Sequence, residues 1–418
     1  MKDHITPNLL KLAKLFKKKG ELFVVGGYVR NAFLGIYETD IDLASKLTPN
    51  EIKDILFDTK YEVKDNSKKL GTITISLGEE KWEHSTFRQE VYDNDGAHTP
   101  TNVTFITTPE EDSKRRDFTA NCIYYNILKD EYVDVYNGKR DISKKLLKAV
   151  ETPDFVLAND GVRILRMIRL ASELGFRISG ETLFSAYNNR DNLAAISGNR
   201  KAEELMLILN SPDRYKISHS NAFMFGLNMF NLLRLWPYFN APVLKVKYVV
   251  TPKISKNLRL DALLVDIIAT SKYKMNTKEL VVDLLGKNGL GFSENKIEHY
   301  QHIVMGYFDA LNKMDNKSYF MEYFDDFEII KQLLEKKSKK IFRKYNFFYN
   351  YLKNNKIAIR VKDLKINGVD IKKSFPKIKE KEYKNILTKL LDGVFDGIIK
   401  NEKKELLEGV KKLIENKN

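Results

Sequence analysis

Two aspartates separated by one residue form the first candidate site. Asp40 and Asp42 flank Ile41, and Leu43 follows. Residues i and i+2 of a strand project from the same face, so the spacing predicts adjacent carboxylates, with Ile41 and Leu43 toward the core. Neighbouring carboxylates repel each other, and a divalent cation relieves that cost. Taken alone, the pair also fits two solvated aspartates on an edge strand.

A glycine pair precedes these aspartates. The apolar run 23–25 leads into Gly26 and Gly27, and a helical pattern carrying Arg30 follows. Paired glycines let the backbone approach a ligand closely, and N–H groups at a helix start favour an anion. An arginine fork suits phosphate oxygens. The spacing matches neither the dinucleotide fingerprint nor the P-loop. Alone, this motif fits a structural turn equally well; with the aspartates it predicts a phosphate cradle.

Two further runs carry charge. Glu83 is a candidate third carboxylate or a surface glutamate, whereas His84 has no partner at metal-ligand spacing and is interpreted as structural. Arg115, Arg116 and Asp117 precede an apolar run, which suits an arginine that contacts a triphosphate and an aspartate that braces the loop. The alternative for this second run is a basic surface patch.

Residues 159–173 are predicted to form a helix. At 100° per residue its apolar side chains cluster on one side, and they are Ile164, Met167, Ile168 and Ala171. Arg163, Arg166 and Arg169 form a stripe roughly opposite, with Asp160 one turn before Arg163. The stripe suits phosphates, and Asp160 with Arg163 offers an acceptor and donors to a base edge. A solvated face with i,i+3 pairs is the alternative.

The elements that position these residues change character along the chain. Residues 1–145 mix strand-like runs at 22–25, 41–43, 71–75 and 103–106 with helical patterns at 9–16 and 49–56, which predicts an α/β region. After Pro153 the spacing is helical, with turns at glycines and prolines. A lysine-rich seam at 336–340 is a candidate hinge.

Composition limits the class of protein. The chain has 418 residues, 43% of them hydrophobic, which suits about three domains and excludes whole-chain disorder. A single cysteine, Cys122, excludes a disulfide framework. The N-terminus has no signal-peptide core, and no 18 apolar residues run together, so we expect a cytoplasmic protein without a membrane span.

Positive charge is concentrated at the C-terminal end. The net charge is +15, and residues 331–418 contain 25 Lys and Arg against 11 Asp and Glu, a net +14. Such an excess at one end predicts contact with a polyanion. The alternative is a lysine-rich solvated surface.

The ordered motifs resemble one family. The motifs are Gly26 to Arg30, Asp40 to Asp42, Arg115 to Phe118, and Asp160 to Arg163 followed by Arg166 and Arg169. They are similar to those of the class II tRNA nucleotidyltransferases, or CCA-adding enzymes, and the related bacterial poly(A) polymerases, whose heads belong to the polymerase β nucleotidyltransferase superfamily. Runs at 361–371 and 401–407 resemble the family's tail, so the resemblance covers nearly the full chain.

The resemblance implies a four-part architecture. We expect an α/β nucleotidyltransferase head, a mixed sheet with helices, followed by an all-α neck, body and tail. The expected boundaries are a catalytic head at 1–145, a base-recognising neck at 146–210, a body at 211–330 and a basic, tRNA-binding tail at 331–418.

The resemblance also implies residue roles. Asp40 and Asp42 are expected to hold Mg²⁺, with Glu83 as an additional catalytic carboxylate. The expected nucleotide-binding residues are Gly26, Gly27, Arg30, Arg116, Asp117, Asp160, Arg163, Arg166 and Arg169. Asp160 and Arg163 are expected to read the base edge of CTP or ATP, with Arg166 and Arg169 supporting the site.

The implied reaction adds C, C and A to the 3′ end of tRNA from CTP and ATP without a nucleic-acid template. We expect two-metal nucleotidyl transfer with release of pyrophosphate, by a monomer or homodimer. The alternatives are a poly(A) polymerase, a partial enzyme adding only CC or only A, and a non-catalytic RNA-binding protein. The stretch from Phe87 to Phe105 matches the length expected of a full enzyme and argues against CC-only addition.

The sequence departs from the family pattern in four places. Asn31 stands where an aspartate follows Val-Arg, and Asn159 where a glutamate precedes Asp160. Asn199 replaces a glutamate before Arg200, and Ala97-His98 replaces an arginine pair. The last departure puts in doubt how the loop between the first two motifs acts in the switch from C to A addition.

Overall fold

The computed structural model describes residues 1–37, 39–92, 100–248, 254–271, 276–313, 317–337, 339–354 and 357–415. The chain divides into two compact units, one formed by 1–246 with 283–292 and the other by 247–282 with 293–418. The boundary at Val246 falls inside the predicted body. The four-part division is finer than this partition and stays a prediction.

Eleven strands are present in the described residues. They are β1 (Phe23–Val25), β2 (Asp42–Ser45), β3 (Glu62–Ser67), β4 (Thr72–Leu77), β5 (Glu80–Thr86), β6 (Arg88–Val91), β7 (Asn102–Phe105), β8 (Tyr124–Asn126), β9 (Glu131–Val133), β10 (Leu146–Leu147) and β11 (Arg177–Ile178).

Seven of these strands form one mixed sheet, in the order β3-β4-β5-β2-β1-β8-β9. The interior strand β1, between β2 and β8, is buried along its whole length, as its Phe-Val-Val sequence requires. Its last residue, Val25, pairs with Asp42 of β2, and Asp42 pairs with Glu83 of β5 in the sheet's parallel pair. The register therefore brings the glycine turn after β1 beside Asp42. The predicted mixed sheet of an α/β head is confirmed.

The α-helices of the described residues are α1 (Pro7–Phe16), α2 (Gly27–Ala32), α3 (Pro49–Leu56), α4 (Pro109–Ser113), α5 (Gly138–Ser143), α6 (Pro153–Asn159), α7 (Val162–Leu174), α8 (Gly180–Asn188), α9 (Gly198–Leu209), α10 (Ala222–Leu233), α11 (Arg259–Thr270), α12 (Thr277–Leu285), α13 (Glu294–Lys313), α14 (Lys317–Tyr323), α15 (Phe327–Lys337), α16 (Lys339–Asn354), α17 (Gly368–Ser374), α18 (Tyr383–Phe395) and α19 (Lys403–Glu415).

Local sequence explains the starts of α1 and α3. Thr6 and Thr48 are N-caps followed by proline at the first helical position, and Thr48 with Glu51 forms a capping box. The helical patterns predicted at 9–16 and 49–56 correspond to these helices. The strands predicted near 22–25, 71–75 and 103–106 correspond to β1, β4 and β7. After Pro153, β11 with its two residues is the one strand among the described residues, and the other regular elements there are helices.

The helix α7 is central in the first unit. Its predicted apolar residues Ile164, Met167, Ile168 and Ala171 are buried. Gly226 of α10 lies so close to this helix that an added Cβ would be 2.9 Å from the Ser172 hydroxyl and 2.4 Å from Ile208 of α9. This packing buries α7 on more than its apolar side, since Arg163 and Glu173 are buried as well.

The second unit is helical in its described residues. Its C-terminal part has its own apolar core, which includes Ile371, Leu390, Leu406 and Val410. In the predicted hinge at 336–340, α15 ends at Lys337 and α16 begins at Lys339, while Ser338 lies outside the described residues. None of the helices in the described ranges combines the length and hydrophobicity needed to cross a bilayer.

Candidate active site

The two aspartates line one cavity. Strand β2 begins only at Asp42, so Asp40 lies in the loop before the strand, which differs from the predicted strand pair. Both side chains are exposed, while Leu43 is buried in the sheet. They line a cavity of about 290 Å³ together with Gly26, Gly27, Arg30, Arg116, Asp117, Arg166 and Arg169. We refer to it as the carboxylate cavity.

Like charge accumulates around Asp42. The Asp42 side chain is open to the cavity, but burial by the surrounding protein is the largest cause that raises its pKa to about 6. The carboxylates of Glu83 and Asp40 raise this pKa as well, whereas Arg116 and Arg166 lower it. Glu83 is the register partner of Asp42 and is exposed, but it does not line the cavity. Because a bound cation favours the charged carboxylate, this crowding is the electrostatic signature of a cation site.

The backbone conformation of the turn after β1 requires a glycine. Gly26 has φ +78°, a conformation that side-chain-bearing residues rarely adopt. A Cβ at Gly26 would lie 3.4 Å from Oδ2 of Asp42. The helix that follows, α2, has only six residues. The glycine therefore allows the backbone to lie directly against the aspartate.

Arg30 is buried and held by neutral oxygens. Its Nε and Nη2 donate to Oδ1 of Asn31 at 3.0 and 2.9 Å, and its Nη1 donates to Oδ1 of Asn121 at 2.5 Å. Its Nη2 also lies 3.5 Å from the hydroxyl of Tyr215. Burial lowers the pKa of Arg30, because these amide and phenolic oxygens do not compensate its charge fully. An anion in the cavity would supply that compensation.

Arg116 is positioned by two groups that the sequence did not single out. Its Nε donates to the hydroxyl of Tyr124 at 2.6 Å, and its Nη2 lies 3.2 Å from Oδ2 of Asp112. Asp112 is completely buried and also accepts from Nε of Arg115 at 2.7 Å. Burial disfavours the charge of Arg116, but Tyr124 and Asp112 outweigh burial and raise its pKa.

Asp117 braces the loop, as its position after the arginine pair suggested. Its Oδ1 accepts from the Phe118 N–H at 2.8 Å, and its Oδ2 accepts from Nε and Nη2 of Arg166 at 3.0 and 2.6 Å. Burial opposes ionisation of this carboxyl, but the Arg166 guanidinium holds its pKa well below the usual range. The pair fixes α7 to the loop that contains Asp117.

Arg169 is held by two glutamates. Its Nε lies 2.7 Å from Glu204 and its Nη1 lies 3.3 Å from Glu173, both of which are buried. Arg200, which follows the Asn199 departure, lies 3.7 Å from Glu204 as well. The alternative of a solvated arginine stripe is therefore wrong in its main point, because these arginines belong to a largely buried ion-pair network.

Asp160 and Arg163 line a second cavity, of about 260 Å³, with Arg88, Glu90, Tyr92 and Arg115. We refer to it as the Asp160 cavity. Nε of Arg163 lies 3.7 Å from Oδ2 of Asp160, and the guanidinium donates to the carbonyls of Val156 and Arg115. Oδ1 of Asp160 accepts from the Val162 N–H at 2.9 Å. The single helix predicted over 159–173 is wrong at its start, because Asn159 ends α6 and Asp160 has an extended backbone before α7 begins at Val162. Arg163 lies in the first turn of α7, and Asp160 lies in the break between the two helices.

The two cavities share a wall. Arg116, Asp117 and Arg166 line both. The Ala97-His98 departure lies outside the described residues, as does the rest of the segment between Tyr92 and Pro100. The predicted nucleotide-binding residues are thus divided between two adjoining cavities, and Glu83 is the one predicted site residue that lines neither.

His84 has the structural role that its isolation suggested. It is buried, with Nε2 2.8 Å from the hydroxyl of Ser45, and burial lowers its pKa to about 3.

Sequence reasoning missed several residues of the site. Asn121, Tyr124, Arg214 and Tyr215 contact or line the carboxylate cavity, and Asp112 holds the arginine pair. Asp112 carries the one available signal, since it precedes the arginines by three and four positions on a short helix. Asn121 and Tyr124 follow the arginine pair closely in sequence, whereas Arg214 and Tyr215 come from a distant segment with no local signature.

The donor set at Asp40 and Asp42 fits a hard divalent cation. Among the described side chains, no group of three or more His, Cys, Asp or Glu is arranged around a common metal position. Magnesium is commonly held by one or two carboxylates together with substrate phosphates and water. The crowded carboxylates, with phosphate-binding arginines across the same cavity, match that pattern.

Known proteins resemble this chain in sequence and in fold. Residues 22–148 match the model of the poly A polymerase head domain. A CCA-adding enzyme of Ligilactobacillus salivarius is 29% identical over 99% of this chain and 98% of its own length. A CCA-adding enzyme of Bacillus velezensis is 32% identical over 50% of this chain and 51% of its own length. The crystal structure of the Bacillus stearothermophilus CCA-adding enzyme in complex with CTP has a TM-score of 0.71 at 20% identity and covers 100% of this chain and 99% of that one.

Together, the mixed-sheet head, the paired aspartates and the head-domain match define a nucleotidyltransferase. The match over nearly the full length narrows the class further. Over nearly its full length, the chain is similar to the CCA-adding enzymes of the class II type. This similarity to nucleotidyltransferases implies dependence on a divalent metal ion.

Proposed function

We propose that the protein is a CCA tRNA nucleotidyltransferase that adds C, C and A to the 3′ end of tRNA from CTP and ATP. The observation that carries the proposal is the pair of adjoining cavities, one with aspartates and arginines and the other with Asp160 and Arg163. The first provides for a metal-bound triphosphate and the second for a base. The relatives named CCA-adding enzymes support the same reaction.

In this proposal Asp40 and Asp42 hold Mg²⁺. When bound, the metal activates the attacking 3′-hydroxyl and neutralises charge on the triphosphate. Glu83, beside Asp42, contributes negative charge near the metal without being in the cavity lining. Gly26 and Gly27 let the backbone approach the phosphates closely.

The arginines bind and orient the triphosphate. Arg30 and Arg116 are fixed by hydrogen bonds before any ligand arrives, so they stabilise developing charge without reorganising. Asp117 and Arg166 form an ion pair in the wall that the two cavities share, and this pair fixes the position of one cavity relative to the other. Arg169 adds a second cation to the cavity that Arg30 lines, and its ion-pair partner Glu173 also favours the charge of Arg30.

Asp160 and Arg163 select the base in this proposal. Asp160 accepts from the exocyclic amine that C and A share, and Arg163 donates to the neighbouring ring nitrogen. U and G present a carbonyl and an N–H at those positions, which would oppose acceptor to acceptor and donor to donor. Protein groups thereby replace a nucleic-acid template.

The basic segment 331–418 is proposed to bind tRNA as the tail of a head, neck, body and tail architecture, acting in the cytoplasm. Its support is the net +14 charge, together with Lys377, Lys379 and Lys389 around a cavity of about 310 Å³ in its C-terminal part. Replacing these three lysines by alanine should flatten the dependence of log affinity on log salt by about two to three. An unchanged slope would show that this charge is only solvated surface.

The test of the function supplies purified protein with tRNA that ends before CCA, Mg²⁺, and CTP alone, ATP alone or both. We expect two residues of C with CTP alone and a terminal A once ATP is added. Long A tails on any RNA would instead indicate a poly(A) polymerase. Absence of any incorporation would favour a non-catalytic RNA-binding protein.

A further inference from the structure

A third cavity lies beside the carboxylate cavity and has no role in the reaction described so far. It has a volume of about 470 Å³ and is lined by residues 34–37, in the loop after α2, and by residues 212–217. Arg214 and Tyr215 line both this cavity and the carboxylate cavity. We refer to it as the acceptor cavity.

The shared residues connect the acceptor cavity to the reacting groups. Tyr215 lies 3.5 Å from Nη2 of Arg30 through its hydroxyl, and Arg214 interacts electrostatically with Asp40. Asp40 itself is exposed before β2. The acceptor cavity therefore adjoins the aspartates on a side formed by 212–217, whereas the Asp160 cavity adjoins them through Arg116 and Arg166.

The lining has the two properties that a nucleotide requires. Ile36, Tyr37 and Ile217 provide an apolar surface, and the Tyr37 ring is stacked on His4 at 3.5 Å between centroids. Arg214 and Lys216 provide two cations against one carboxylate, Asp213. Apolar or aromatic side chains pack on a base, and cations follow the backbone phosphates, in proteins that bind single-stranded nucleic acid.

We propose that the acceptor cavity binds the 3′-terminal nucleotide of the RNA acceptor and presents its 3′-hydroxyl to the aspartates. The inference rests on the proposed function and deepens it. Transfer needs two substrates at once, and the incoming nucleotide already accounts for the other two cavities. The acceptor cavity shares Arg214 and Tyr215 with the carboxylate cavity, and its volume is in the range of small-ligand sites.

Direct binding tests the proposal without catalysis. The probe is a fluorescent RNA hairpin with a single-stranded 3′-CC overhang, compared with the same hairpin lacking the overhang, with full-length protein and no nucleotide. The variants are Ile217→Ser and Lys216→Glu, both at exposed positions. Matched controls are Phe57→Ser and Lys81→Glu, which are exposed elsewhere in the first unit.

The double variant should lose about tenfold in affinity for the overhang hairpin, the scale of one stacked base. Affinity for the blunt hairpin and for CTP should be unchanged, and the control variants should behave like wild type. In turnover, KM for the RNA should rise while KM for CTP stays constant.

Three outcomes would overturn the inference. Equal loss for both hairpins would indicate general electrostatic attraction, and no loss would mean that the cavity does not bind the RNA end. Weaker CTP binding in the absence of RNA would indicate a second nucleotide site. Failure of the proposed function is separate, because it appears as absent CC and A addition by the wild-type protein, whereas the overhang comparison is read without turnover.

Discussion

The carboxylate cavity and the Asp160 cavity adjoin each other but treat charge in opposite ways. In the carboxylate cavity, burial and then the carboxylates of Glu83 and Asp40 raise the pKa of Asp42 against the effect of Arg116 and Arg166. Arg30 is held there by amide oxygens. In the Asp160 cavity, Glu90 lies between Arg88 and Arg115, at 2.7 and 3.5 Å, and Asp160 lies beside Arg163.

This difference separates groups that await a charged ligand from groups that hold a fixed pattern. A cavity with uncompensated charge of both signs suits a metal ion bound to a polyphosphate. The metal ion compensates the carboxylates, and the polyphosphate compensates the arginine. Compensated charge fixes donors and acceptors in place, which suits selection by hydrogen-bond pattern. The following predictions test whether the two cavities differ in this way.

Removing an aspartate should have the largest effect. Asp42→Asn should lower kcat by more than about 10³-fold, because metal stabilisation of a transition state amounts to several kcal/mol. The fold should be retained, and the metal-free variant should be at least as stable as wild type at pH 7, because a carboxylate whose pKa is raised to about 6 destabilises the fold when ionised. Single-turnover incorporation and urea unfolding measure the two effects.

The exposed Asp58→Asn is the matched control for that variant and should change neither property. Turnover of Asp42→Asn near the wild-type rate would remove Asp42 from the metal site.

Breaking the compensated network should instead cost stability. Asp112→Asn leaves Arg115 and Arg116 facing a neutral amide in a buried site, and loss of one partner of a buried pair costs about 3–5 kcal/mol. Burial opposes ionisation of Asp112, but the two arginines hold its pKa down to about 2. Its stabilising charge is therefore present above about pH 4 and is lost as the pH falls toward 2.

The measurement is the free energy of unfolding in urea at pH 7, 4 and 3 for wild type and Asp112→Asn. The gap between them should narrow below pH 4. A gap that stays constant would mean that the variant acts through shape and not through charge, and the exposed Asp54→Asn provides the baseline.

Base choice should depend on one cavity and affinity on the other. Asp160→Ala should lose selectivity against UTP and GTP by about 5- to 150-fold, since each unpaired buried polar group costs about 1–3 kcal/mol. Arg30→Ala should weaken the binding of all four nucleotides by a similar factor. The comparison is kcat/KM for CTP, ATP, UTP and GTP in both variants. Equal losses for all four in Asp160→Ala would make its pair with Arg163 purely structural.

Sequence patterns anticipated the elements better than the contacts between them. Apolar runs located β1 and α7, and motif spacing located Asp42 and Arg163, because periodicity and short spacing reflect local geometry. Two acceptors of Arg30 could not be predicted, since Asn121 is 91 residues away and Tyr215 is 185 residues away, whereas the third, Asn31, is its neighbour in sequence. Such partners depend on the packing of distant segments.

The arginine stripe of α7 shows the same limit. Helical geometry predicted that Arg163, Arg166 and Arg169 share a side, but not that buried acids from other segments would meet them. Asp117 precedes Arg166 by 49 residues, and Glu204 follows Arg169 by 35.

The smallest predicted effect concerns Asn31, which stands where the family has an aspartate. Its Oδ1 accepts two hydrogen bonds from Arg30, while its buried Nδ2 has no hydrogen-bond partner in the described part of the chain. Asn31→Asp removes that unsatisfied donor, worth about 1–3 kcal/mol, and compensates the arginine. Unfolding in urea should therefore require more denaturant.

The added charge should also weaken triphosphate binding by up to about fivefold, equally for CTP, ATP, UTP and GTP. The control is Asn66→Asp, which should change neither quantity. Asn66 is exposed, is remote from Arg30 in sequence and is hydrogen-bonded to Thr74. A change in the CTP to UTP ratio in Asn31→Asp would mean that charge in the carboxylate cavity also influences base choice, and the two cavities would then not act separately.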